Sequence, residues 1–175
     1  PEAAAVLRDV LLREGVTLHE QAEVVAASGG PGLVRLELAG GAVVEGSHLL
    51  LAAGRRAALD GLGLGEAGIR THADGIVVDA GMRTTNRRVF AVGDVTGGPR
   101  FTHAAAQQAG IVLRRALFSL PARLDDAALP WVTFTDPEAA QVGLTEAAAR
   151  AAGRAVTIVG APLSGNDRAV CDGTA

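Results

Sequence analysis

Apolar positions recur at helical spacing over residues 2–14, where Val6, Leu7, Val10 and Leu11 share a face and Gly15 ends the run. Val16–Leu18 follows as a short apolar stretch and predicts a strand. Residues 21–28 and 32–39 then predict two antiparallel strands about a turn at Gly29-Gly30-Pro31-Gly32, and Leu33–Leu38 has the two-residue alternation of a half-buried strand. Gly40-Gly41 turns the chain again into Ala42–Glu45, completing a three-strand meander.

The pattern changes at His48. Leu49–Ala53 is a short continuous apolar run ending at Gly54, the pattern of a strand buried on both faces in a parallel sheet. After glycine-rich residues 61–68, Ile76–Asp79 and Val89–Val92 predict further strands, separated by an irregular crossing at residues 82–86. A loop at 95–100 leads to a predicted helix from Thr102 to Phe118, with Ala105, Ala109, Val112 and Ala116 on a small-residue face. Residues 121–130 predict a linker with a solvated Asp125-Asp126 pair. Beyond it the pattern predicts a strand at Trp131–Phe134 and a turn at Asp136-Pro137-Glu138 able to cap a short helical piece. It then gives a helix capped by Thr145 and running to about Ala152, a strand at Val156–Val159, and a closing turn over Cys171–Ala175.

Composition narrows the function classes. The chain has 175 residues, which suits one domain or two small ones, and only five aromatic side chains, four Phe and one Trp. So few aromatic faces argue against a base-stacking nucleic-acid platform. A net charge of −3, with the basic residues dispersed, argues against a phosphate-backbone footprint. No apolar run is long enough to span a membrane, and Pro1-Glu2-Ala3 does not open an export leader, so a cytoplasmic location is expected. All sixteen basic residues are arginine, which removes a lysine nucleophile. The single cysteine, Cys171, leaves no disulfide or redox dithiol within the chain and reads as a small hydrophobe. The histidines, His19, His48, His72 and His103, lack metal-ligand spacing, so no metal site is expected.

The stretch VFAVGDVTGGPRFTHAA carries the candidate chemistry. A buried strand delivers Gly93 and Asp94 to its carboxyl end, where ligands bind in open α/β sheets. Gly93 permits close backbone approach, and Asp94 offers two acceptors to a polyol hydroxyl. The helix that begins at Thr102 has unpaired N–H groups and a positive dipole end. A carboxylate for a ribitol hydroxyl and a helix start for the anionic N1/C2=O edge suit a reduced flavin. Taken alone, the motif is not decisive, because a structural aspartate capping a turn gives the same pattern. For His103 two readings stand: a group beside the ligand, or a first-turn residue whose backbone alone matters.

Three ordered segments resemble the pyridine nucleotide–disulfide oxidoreductases. LLLAAGRR is similar to that family's A-T-G-R-x-P-N segment, TTNRRVFAVGDVTGGPRFTH to its second FAD-binding motif, and LPWVTFTDPEAAQVGLTE to the opening of its interface domain. The FTH, PWVTFTDPE and NDRAV variants resemble the mercuric reductase-like and dihydrolipoamide dehydrogenase-like branch. The resemblance covers nearly the whole chain. It implies an α/β fold: partial FAD- and NAD(P)-binding Rossmann-like domains, then the start of an α+β interface domain. It places the end of the NAD(P)-binding domain at 1–45, the second segment of the FAD domain at 46–122, and the start of the dimerisation domain at 123–175. It implies FAD and NAD(P)H as cofactors, a small-molecule substrate, a homodimer, and no nucleic-acid or membrane partner. Asp94 would hold the ribitol, the amides of Thr102, His103 and Ala104 would face the pyrimidine edge, and Gly54 and Gly93 would lie at strand ends near the cofactor.

The departures also matter. Ala53 stands where the family has Thr, and Ala57-Ala58 where it has Pro-Asn. No G-x-G-x-x-G opens a βαβ unit, and Gly61-x-Gly63-x-Gly65 does not lie between a clear strand and helix. No C-x4-C pair is present. The expected parent is therefore an enzyme more than twice this length, with weak or no flavin binding by this chain alone. The competing reading is a non-catalytic fragment or association module.

Overall fold

The computed structural model describes residues 2–125 and 127–173. The chain divides into two compact units, the first ending at Arg55 and the second starting at Arg56.

The first unit opens with helix α1, Glu2–Arg13, whose acidic first turn and basic last turn both suit the helix dipole. Its end consumes the expected strand at Val16–Leu18. The Val16 amide bonds back to Leu11 O at 3.0 Å and Gly15 N to Leu12 O at 3.1 Å, so this stretch closes the helix. Strands β1 (Val24–Gly30), β2 (Leu33–Leu38) and β3 (Val43–Gly46) form the antiparallel meander in the order β1-β2-β3. The β1–β2 turn tightens to Pro31-Gly32, and β1 shifts register between Val24 and Ala26. Leu49–Ala53 is not a strand: no described strand pairs with it, and Leu50 and Leu51 are 88% and 82% exposed. A doubly buried strand takes its stability from neighbours on both edges, which no local pattern guarantees.

The second unit holds the principal core. Ile69, Ile76 and Ala91 are buried together, with Leu59, Leu64, Val78, Val89 and Val95 packed around them. Its strands are shorter than predicted. Strand β4 (Thr71–His72) pairs with β5 (Gly75–Ile76), while Val78 and Phe90 make single bridges to Thr84 and Arg83. In place of strands at 76–79 and 89–92 there is an irregular hairpin. It is tied by Asp79 N to Arg83 O, Thr84 N to Val89 O and Ala91 N to Met82 O. Side chains complete it. The Thr84 hydroxyl donates to Val89 O at 3.0 Å, and the Asn86 side-chain amide donates to Ala67 O at 2.7 Å.

Helix α2 spans Thr102–Leu117 and buries Ala104, Gln108 and Ile111. The inward face is thus rotated by one residue from the expected Ala105, Ala109, Val112 and Ala116, because Gln108 turns inward to meet a backbone amide. Strands β6 (Pro130–Thr133) and β7 (Ala139–Val142) then form an antiparallel hairpin. The connecting Asp136-Pro137 bond is cis, and no helical piece follows it. Helix α3, Glu146–Ala151, starts as expected at Thr145, whose Oγ1 accepts from Ala148 N at 3.2 Å. Val156–Val159 is extended but pairs with no described strand, and Val159 is 89% exposed. Instead of the expected closing turn there is helix α4, Asp167–Asp172. Asn166 caps it through bonds from Arg168 N and Ala169 N, and Gly173 ends it at φ 70°. Asp126 of the expected acidic pair, and Thr174-Ala175 of the expected turn, lie outside the described residues.

Candidate cofactor-binding site

The Gly-Asp pair opens a single turn of 3-10 helix, Gly93–Thr96, rather than hanging from a strand end. Gly93 has φ 76°, a conformation that L side chains rarely adopt. Its N–H donates to Gln108 Oε1 at 2.6 Å, and its carbonyl accepts from the Thr96 hydroxyl at 2.8 Å. Gln108 and Thr96 are 2% and 8% exposed, so the bonds holding this turn are shielded from water. A Cβ on Gly93 would lie 3.4 Å from Ala105 Cβ, which puts the turn against the first turns of α2. Asp94, next in the chain, is exposed.

A second support comes from the β4–β5 hairpin. A Cβ on Gly75 would lie 2.5 Å from both Gly97 N and Val95 O. A Cβ on Gly97 would lie 2.8 Å from His72 Cε1 and 2.9 Å from Asp74 C. The hairpin tip and the Asp94 turn therefore interlock through two positions that must lack side chains.

Helix α2 begins after Phe101, which is extended (φ −122°, ψ 142°) and gives no side-chain cap. The first turn contains no acidic residue. The first bond into the helix runs from Ala105 N to Phe101 O, so the N–H groups of Thr102, His103 and Ala104 precede the helical ladder. Thr102 and His103 are exposed, whereas Ala104 is 2% exposed. An uncapped helix start without a carboxylate of its own favours an anion brought from outside. The His103 ring stacks on Phe101, with centroids 5.3 Å apart, and its Nε2 lies 2.7 Å from Pro130 O. The ring is thus engaged within the protein.

The sequence-predicted residues divide accordingly. Gly93 and Asp94 share one turn, and that turn abuts the helix begun by Thr102, His103 and Ala104. Gly54 has φ 110° and open space around its Cα, and it lies in the first unit. Sequence reasoning missed Gln108, Gly75 and Gly97. It also passed over the literal G-x-G-x-x-G spacing of Gly63, Gly65 and Gly68. That stretch is a run of turns whose amides are used internally, Ala67 N to Gly63 O, Gly68 N to Gly65 O and Ile69 N to Leu64 O, so it makes no phosphate cradle.

Asp79 sits at the head of the 79–91 hairpin. Partial burial raises its pKa, but the backbone N–H groups of Arg83 and Gly81 and the charges of Arg115 and Arg83 outweigh that and hold it below the ordinary carboxylate value. It organises the 79–91 hairpin by accepting from Gly81 N at 2.7 Å and Arg83 N at 3.0 Å.

Residues 1–109 match the pyridine nucleotide-disulphide oxidoreductase family, and residues 129–175 match that family's dimerisation domain. The chain belongs to the pyridine nucleotide-disulphide oxidoreductases. It is 42% identical over 157 residues to a mercuric reductase of Streptomyces lividans, covering 87% of this chain and 33% of that protein. It is 35% identical over 173 residues to dihydrolipoyl dehydrogenase 3 of Pseudomonas aeruginosa, covering 96% and 37%. Among solved structures, LpdA of Mycobacterium tuberculosis superposes with a TM-score of 0.90 at 30% identity, over 98% of this chain and 38% of that one. The HOCl-induced flavoprotein disulfide reductase RclA of Escherichia coli superposes with a TM-score of 0.87 at 30% identity, over 98% and 40%. The chain thus spans about a third of the length of the curated relatives it matches. The family uses FAD and NAD(P)H. No helix among the described residues is long and apolar enough to cross a membrane.

The residues present fit one sector of FAD. Asp94 is exposed on a turn fixed by buried bonds, and beside it stands a helix start with no cap and no acid.

Proposed function

We propose that this chain supplies the ribitol- and pyrimidine-facing sector of the FAD site in a longer homodimeric oxidoreductase, together with the start of its dimerisation domain. The whole enzyme moves a hydride from NAD(P)H through FAD to a disulfide or thiol-bound acceptor, in the manner of mercuric reductase-like or dihydrolipoamide dehydrogenase-like proteins. Its segments are the end of the NAD(P)-binding domain at 1–45, the second FAD segment at 46–122, and the dimerisation domain from 123. A reductant drawn from the NAD(P)H pool favours the cytoplasm.

The observation that carries this reading is the exposed Asp94 on a turn locked to α2 by the Gly93–Gln108 bond. When bound, the flavin supplies the two-electron chemistry, and the protein supplies position and electrostatics. Asp94 accepts from a ribitol hydroxyl and fixes the cofactor's reach. The amides of Thr102, His103 and Ala104 stabilise negative charge at the pyrimidine edge through the helix start. Gly93 keeps the backbone beside Asp94 free of a side chain where the cofactor passes.

Substitution of Asp94 in the full-length protein tests the reading. Asp94→Ala should lower flavin occupancy about tenfold or more, the loss of one charge-assisted hydrogen bond. Occupancy is read as visible flavin absorbance per protein. Asp94→Asn, which keeps an acceptor, should fall between. Full occupancy in Asp94→Ala removes Asp94 from the site.

A further inference from the structure

The arginines at the far end of α2 take no part in the flavin reading. Arg115 stands in the last turn of the helix, about 20 Å along the axis from Thr102. There Arg83, Arg115, Ser119, Leu120 and Pro121 line an open cleft of about 430 Å³, wholly within the second unit. Two elements deliver the two cations. Arg83 comes from the 79–91 hairpin; its guanidinium lies 4.6 Å from the centre of the Phe90 ring and donates through Nη1 to Arg87 O. Arg115 comes from α2 and donates through Nη1 to Ala122 O at 3.2 Å. A guanidinium carries five N–H donors in a fixed fork, so one backbone bond orients each group and leaves most of its donors for another acceptor. One such donor, Arg83 Nε, is buried and has no hydrogen-bond partner among the described residues. The Asp79 carboxylate does not meet this need. Its Oδ1 is taken by Gly81 N and Arg83 N, and its Oδ2 stands 3.9 Å from Arg115 Nη2, beyond hydrogen-bond reach. Gly81 completes the frame: a Cβ there would overlap the Arg115 guanidinium, so its missing side chain lets Arg115 lie against the hairpin.

We propose that the Arg83–Arg115 cleft is a binding site for a phosphate group, carried by a small phosphomonoester or free as inorganic phosphate. Two guanidiniums arriving from different elements, with Ser119 in the same lining, suit a tetrahedral oxyanion with acceptors on several sides. A planar carboxylate is satisfied by a single fork. The local charge points the same way. Two fixed cations outweigh the one Asp79 carboxylate and the partial negative charge, about half a unit, at the end of α2. Leu120 and Pro121 add an apolar wall that suits the organic body of an ester. The site stands apart from the flavin reading, because its residues lie at the other end of α2 from Thr102.

The test uses the full-length protein, reconstituted with FAD and freed of excess, so that the cofactor's own phosphate seat is filled. Inorganic phosphate and phenyl phosphate are titrated by calorimetry at fixed ionic strength, with acetate as the control. Both phosphates should bind saturably, and acetate about tenfold more weakly or not at all. Arg83→Gln and Arg115→Gln should each weaken phosphate binding about tenfold, the loss of a charge-assisted hydrogen bond. Gly81→Ala keeps both charges and meets only the flexible end of Arg115, so it should fold and weaken binding by moving that guanidinium. Asp79→Asn keeps an acceptor for Gly81 N and Arg83 N but removes the competing charge, and should tighten binding about threefold. A gain of affinity cannot come from misfolding, and flavin absorbance unchanged in every variant reports that each has folded. Tighter binding of phenyl phosphate than of inorganic phosphate assigns the ester as ligand; equal or weaker binding assigns the free ion. No saturable binding by the wild type, acetate binding as tightly as phosphate, wild-type affinity in both arginine variants, or no gain in Asp79→Asn each overturns the site.

Discussion

The three-stranded meander of residues 24–46 and the stretch 69–97 distribute regularity and burial in opposite ways. In the meander, the ladder is nearly complete, from Val24↔Leu38 to Gly30↔Leu33 and from Val34↔Gly46 to Glu37↔Val43, yet every residue in it is exposed or half-buried. In the stretch 69–97 the strands are two residues long, yet Ile69, Ile76, Met82, Thr84, Ala91 and Thr96 are all buried. There the backbone is held by side chains: Gln108 on Gly93, Thr84 on Val89, Asp79 on Gly81 and Arg83. The difference teaches that a turn can be held in place without a sheet beneath it. A repeating ladder shares its load among many equivalent bonds, whereas the Asp94 turn depends on a few buried ones, each costly to lose.

That contrast can be broken most forcefully at Gly75. Any side chain there meets the backbone of Gly97 and Val95, so Gly75→Ala should cost about 3 kcal/mol in urea unfolding, the upper range for overpacking a tight site. Gln108→Leu comes next. It keeps apolar volume but strands the Gly93 N–H, and it should cost about 2 kcal/mol in the same assay.

Asp79 should give a smaller, pH-dependent signal. Its folded pKa is depressed, so its contribution is present above the ordinary carboxylate value and is lost as pH falls through the lowered folded value. Asp79→Asn should therefore lower stability modestly at neutral pH and flatten the acid limb below about pH 4, where variant and wild type converge, as followed by thermal unfolding across pH. The smallest effect belongs to the meander. The Arg35–Glu45 pair spans β2 and β3 at 3.0 Å, but both side chains are about half exposed. Arg35→Ala should shift stability by less than about 0.5 kcal/mol. A large loss there, or a negligible one at Gly75 and Gln108, would reverse the comparison.

Local chemistry made part of this legible in the sequence. Helices α1, α2 and α3 carry their spacing and ends within themselves, down to the Thr145 cap. The meander announces its turns through Gly-Pro-Gly and Gly-Gly. The juxtaposition of Asp94 with the start at Thr102 followed from their closeness in the chain. The misread segments, Leu49–Ala53, Val89–Val92 and Val156–Val159, are apolar runs whose state depends on what lies beside them, which periodicity does not encode. Val16–Leu18 was lost to helix termination and Cys171-Asp172 to a helix capped by Asn166. Gln108 was hidden because a glutamine in a helix reads as surface. The available signal was its register, one turn after Ala104 and one before Ile111. Gly75 and Gly97 were unreadable as a pair, since Gly75 must clear the backbone of Val95–Gly97 and Gly97 must clear His72 and Asp74 across the same long-range contact.

That pairing has a consequence for how this chain can vary. Neither position can be compensated by trimming its neighbour, because the closest obstacles include backbone, and backbone cannot be made smaller. A side chain gained at either position would therefore displace the backbone that carries Asp94, and the small hairpin acts as a fixed spacer against that turn.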